Sequence, residues 1–98
     1  MPRSTSYHDQ LIQDLKDPAE AAAYIAVVLE EGEPKMLSKA LKNVIEAQGG
    51  IEKFSEPVQQ YYEKLNQKLL ERGEIEFYSL MALLDPLGLQ LAITVKSA

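Results

Sequence analysis

Prolines and glycines divide this chain before any hydrophobic pattern is considered. Asp17-Pro18, Gly32-Glu33-Pro34, Gly49-Gly50, Pro57, Gly73 and Asp85-Pro86-Leu87-Gly88 recur at roughly the spacing of ordinary helices. Proline lacks the amide that an interior helical turn uses, and glycine readily takes the left-handed conformation that ends one. Between these breaks the residues must form short helices, each stable only when docked on the others.

The hydrophobic spacing agrees. Leu11, Ile12 and Leu15 predict a helix over 7–15. Asp17, Pro18 and Glu20 are an N-cap, a first-turn proline and a capping-box acid for a helix through Ala21–Leu29, which stops at Gly32. Glu33-Pro34 opens the next, with Leu37, Ala40, Leu41, Val44 and Ile45 inward and Lys35, Lys39, Lys42 and Asn43 on the other side, to about Gln48. Pro57 limits 51–55 to a short helical turn and suits the first turn of a helix to Arg72, with Val58, Tyr61, Leu65 and Leu69 on one face. A last helix carries Phe77, Leu80, Met81 and Leu84 inward. Met1–Ser6, short and polar, reads as a loose terminus.

After Gly88 the period changes. Leu89, Leu91, Ile93 and Val95 alternate with Gln90, Ala92, Thr94 and Lys96, which predicts a strand over 89–96 with one apolar face. No other segment alternates comparably, so this strand is expected to pair with another copy or another protein. The domain division is a terminus at 1–6 and one domain over 7–98. Within it lie N-terminal helices at 7–48, a second helical region at 49–88 and the strand. No internal repeat interrupts it.

Composition narrows the chemistry. The 98 residues hold 46% hydrophobic and 26% charged side chains, proportions that support a folded core. With no cysteine and one histidine, His8, thiolate sites, disulfides and multi-histidine metal sites are ruled out. His8 reads as a surface residue, since no nucleophile accompanies it. The acids at Glu30, Glu31 and Glu33, and from Asp9 to Asp17, lack the spacing of a calcium loop and read as helix ends. No metal, cofactor, small-molecule substrate or enzymatic activity is expected. No apolar run reaches the roughly 18 residues of a membrane span, and the N-terminus lacks a signal-peptide core, so a cytoplasmic protein is expected. Ten Lys and Arg against fifteen Asp and Glu leave a net charge of -5, which disfavours broad attraction to nucleic acid.

Three stretches, DPAEAAAYIAVVLEEGEPKMLSKALKNVIEAQGGIEKFS, LNQKLLERGE and FYSLMALLDPLGLQLAI, carry a resemblance that spans nearly all of Tyr7–Val95. The chain resembles the addiction-module antidote family, HigA-like antitoxins with a lambda-repressor-like (Cro/CI-type) helix-turn-helix. The resemblance implies a mainly α fold of five to six helices with one short C-terminal β-strand. It further implies a transcriptional regulator that binds operator DNA as a homodimer and pairs with a cognate toxin of the RelE-like class. An acidic antidote would suit a basic toxin.

The chain departs from the family where DNA would be read. Gln59, Tyr61 and Tyr62 stand where members usually carry a turn glycine, a Ser or Thr cap and an arginine. Pro57 is expected to shorten the first helix of the motif and erase its tight turn. The candidate DNA-contacting residues are Gln60, Lys64, Gln67 and Lys68, on or beside the face opposite Tyr61, Leu65 and Leu69, and Arg72, which follows Lys64 and Lys68 at i, i+4, i+8; with Glu63 and Glu71 beside them, the local charge is only +1. Tyr61 is assigned to the core and Tyr62 to its edge. The candidate dimer strand is Leu89, Leu91, Ile93 and Val95. Two functions are therefore carried forward: a DNA-binding regulator of the antidote type, and a protein-interaction or dimerisation module that kept the scaffold without DNA binding.

Overall fold

The computed structural model describes residues 3–97. Among them five helices form: α1 (Arg3–Asp14), α2 (Pro18–Glu31), α3 (Pro34–Ala47), α4 (Glu56–Arg72) and α5 (Phe77–Leu84), with 3-10 turns at Ile51–Lys53 and Asp85–Leu87. Their ends follow from the local chemistry. The Asp17 carboxylate accepts the Ala19 amide at 3.0 Å and caps α2, whose far end closes on Gly32 at φ 74°. Glu33 precedes α3 without a side-chain capping bond. At the end of α4, Gly73 has φ 67°, and the amides of Gly73 and Glu74 return to the carbonyls of Leu69 and Lys68. That pair of bonds satisfies carbonyls the helix would otherwise strand.

The core is built around α3, which packs against α1, α2 and α4, while α5 packs on α4. Leu37, Ala40, Leu41, Val44 and Ile45 from α3 meet Ile25 and Val28 of α2, Leu65 and Leu69 of α4, and Leu80, Leu83 and Leu84 of α5. Leu15, just past α1, is buried with them. The Ser38 hydroxyl donates to Asn66 Oδ1, joining α3 to α4. The radius of gyration, 13.9 Å, is close to the ~13 Å of a compact chain this long.

Several expectations need correction. α1 begins at Arg3 rather than Tyr7; Met1 and Pro2, the rest of the expected loose terminus, lie outside the described residues. Asn43 is not on the solvent side of α3 but 4% exposed in the core, its amide donating to the Tyr24 hydroxyl at 3.0 Å. Phe77 and Met81 point outward, and Leu80, Leu83 and Leu84 take the buried face of α5. The tyrosines exchange roles: Tyr62 packs against the core and Tyr61 is exposed. The roll of α4 explains this, since the buried pair Leu65 and Leu69 puts its inward line nearer Tyr62 than Tyr61.

No strand forms among the described residues. The Leu89 amide donates to the Leu84 carbonyl at 3.0 Å, and beyond it residues 90–97 make no backbone hydrogen bond among the described residues. Leu89, Leu91, Ile93 and Val95 therefore form no ladder among the described residues, where no second extended segment pairs with them. Gln59, Tyr61 and Tyr62 lie inside continuous α4, and 51–55 holds the short helical turn expected there, the 3-10 turn Ile51–Lys53. Pro57 in the first turn of α4 accounts for the early start.

Candidate functional site

On α4, Gln60, Lys64 and Gln67 share the solvent face with Glu63 and Glu71, Lys68 is half-buried at its flank, and Arg72 is exposed in the last turn. The helix starts at Glu56, so three acids (Glu56, Glu63, Glu71) offset three bases (Lys64, Lys68, Arg72), and the expected +1 becomes zero. Two of the candidate readers already have partners. Lys64 Nζ lies 3.9 Å from Glu76 Oε1, and Gln67 Nε2 donates to Glu71 at 3.4 Å. Such exposed pairs are weak, but they place carboxylates where phosphates would have to sit.

A different surface carries the larger anomaly. Three of the eight side chains of α5, Phe77, Tyr78 and Met81, are 52%, 74% and 43% exposed, although the helix also buries Leu80, Leu83 and Leu84. A helix that is apolar all round is normally covered on all sides. Phe77 and Tyr78 meet edge to face at 5.5 Å. A groove of about 630 Å³ runs between Phe77, Met81 and Asp85 on one side and Leu89, Leu91 and Ile93 on the other. Met81 also borders a hollow of about 600 Å³ with Val58, Tyr61 and Tyr78. Across the tail, Ile25 and Leu29 of α2 line a third hollow of about 610 Å³ with Leu84 and Leu91. Ile93 and Val95 stand fully in solvent. Together these residues form an apolar surface around the tail, of the kind that marks an association site.

Sequence periodicity pointed to the tail half of this surface and missed the α5 half. Phe77, Leu80, Met81 and Leu84 fit a helical stripe by spacing. The available signal was density: FYSLMALL holds too many large apolar residues for one stripe.

Glu76 caps α5. Its carboxylate accepts the Ser79 amide at 3.1 Å and the Ser79 hydroxyl at 2.6 Å, capping the helix. The Ser79 hydroxyl bond, helped by the Ser79 amide and by Lys64, holds the Glu76 carboxyl below the usual carboxylate range, with partial desolvation opposing. The cap therefore stabilises the fold fully above the unfolded glutamate pKa and is lost as pH falls through the lower folded value. Thermal melts of wild type and Glu76→Gln should differ at neutral pH and converge as the solution is acidified below that range. Burial pushes the Tyr62 phenol up.

His8 Nε2 lies 3.4 Å from a Glu46 carboxylate oxygen at the surface, and no group of three or more metal-ligating side chains gathers among the described residues. No helix among them is long and apolar enough to cross a membrane. Comparison with known proteins returns no family model, no curated protein and no solved structure that matches the chain. The fold defines a small helical protein with an uncovered apolar surface.

Proposed function

We propose that this chain is a non-enzymatic, cytoplasmic protein-interaction module of antidote-like scaffold, which associates through the outer face of α5 and the 89–96 tail and does not read DNA through α4. The observation that carries the reading is the outward placement of Phe77 and Met81 beside Leu91 and Ile93, with Tyr78 exposed against Phe77. Aromatic and methionine side chains are the ones enriched in the buried centres of interfaces. A photo-crosslinking phenylalanine analogue in place of Tyr78, activated in cells, should give one discrete adduct. Absence of any adduct would sink the reading.

The second reading is the operator-binding, homodimeric regulator with a cognate toxin, favoured by Gln60, Lys64 and Gln67 sharing one exposed face of α4. It predicts a complex with DNA from upstream of the chain's own gene that weakens steeply with salt and is abolished by Lys64→Glu or Lys68→Glu. With α4 at zero net charge, no complex is expected in a mobility-shift titration even at low salt. A salt-sensitive complex lost in both variants would restore the regulator.

A further inference from the structure

We infer that the occupant of the α5 face is a second copy of this chain, the two 89–95 tails pairing antiparallel about Ala92 into a ribbon that rests on the exposed α5 side chains. The inference rests on the association reading above and names its partner.

Three observations select a second copy. The first is the unused backbone: residues 90–97 make no backbone hydrogen bond among the described residues, so the tail offers an unpaired strand edge. The second is self-complementarity. An antiparallel register centred on Ala92 sets Leu91 against Ile93 and Leu89 against Val95 on one face, and Gln90 against Thr94 on the other. All four apolar positions are matched without an offset residue, which an unrelated strand would match only by coincidence. The third is charge. Between Phe77 and Ser97 the only charged residues are Asp85 and Lys96. Antiparallel pairing brings the second copy's Lys96 opposite Gly88, three residues from Asp85. Parallel pairing would set like against like.

A two-stranded ribbon alone is marginal in water and needs an apolar floor. Phe77 and Met81 provide one at the groove beside the tail, and Tyr78 extends it next to Phe77. With Leu91, Ile93 and Val95, these side chains expose area on the order of the ~800 Å² per partner that stable interfaces bury.

The chain has no cysteine, so a single introduced thiol reports the register. A two-fold axis at Ala92 places residue 92 opposite itself, within the ~4.4–6.8 Å Cα separation a disulfide needs, whereas residue 91 faces 93. With oxidised glutathione, full-length Ala92→Cys should form a covalent dimer about tenfold faster than Leu91→Cys or Ile93→Cys. Light scattering should find the wild type dimeric and Ile93→Asp monomeric with unchanged helical circular dichroism, since Ile93 is 102% exposed in the monomer and supports no core contact. Equal crosslinking rates at the three positions, a monomeric wild type, or a dimeric Ile93→Asp would each overturn the inference. The Tyr78 crosslink separates this failure from that of the association reading. An adduct of twice the chain mass supports both, an adduct of any other mass overturns the second copy alone, and no adduct overturns both.

Discussion

Replacing Leu65 with alanine is expected to cost about 2–5 kcal/mol, the largest loss of any single truncation on α4. Leu65 is 0% exposed, and its helix bridges α3 on one side and α5 on the other. Removal of its side chain loses the transfer energy of the buried carbons and leaves a cavity that two rigidly packed neighbours cannot close. In a chain whose total stability is about 5–15 kcal/mol, that is a large share, and each kcal/mol lowers Tm by about 4–8 °C. Leu70→Ala, on the same helix but 50% exposed, is the control and should change stability by no more than about 0.5 kcal/mol. Urea titration followed by circular dichroism measures both. Equal effects of the two truncations would mean that α4 does not bridge the core as described.

The second large effect concerns Asn43 and Tyr24. Tyr24→Phe removes the hydroxyl that accepts the Asn43 amide at 3.0 Å and should cost about 1–3 kcal/mol, because the amide of a 4% exposed side chain is left without that partner. The double variant Tyr24→Phe, Asn43→Leu should recover most of that loss, since removing both polar partners leaves no buried group unsatisfied. The pair should therefore be strongly non-additive in a double-mutant cycle. If the two losses simply add, the bond contributes nothing and Asn43 is held by shape alone.

These residues also show where sequence reading works. The boundaries at Asp17-Pro18, Gly32, Pro34, Pro57 and Gly73 were legible because each acts through its own backbone: a missing amide, a left-handed φ, a carboxylate within reach of a free N–H. The buried stripe of α3 was legible because it is strongly one-sided. Asn43 was not, since its polar amide groups it with the lysines of α3 although its wheel neighbours Ala40 and Ala47 are buried, and only the position of Tyr24 on α2 gives that amide a partner in the core. Phe77, Met81 and the two tyrosines of α4 failed for a related reason. Where apolar residues occupy more than one stripe, periodicity cannot choose which faces in, and the neighbouring helix chooses.

The candidate surfaces divide along the same line. The tail's alternation was visible as a pattern, yet a strand exists only when a second edge supplies its hydrogen bonds, and none does so among the described residues. The reading face of α4 was visible as a set of side chains, but its zero charge depended on Glu56 joining the helix, and Glu76 reached Lys64 only through the turn between α4 and α5. By itself the sequence determined how many helices form and where they stop, because those are local properties of the backbone. Only the tertiary structure decided which faces are buried, and so left Phe77, Tyr78 and Met81 uncovered beside an unpaired tail, because burial is a property of what packs against a residue rather than of the residue.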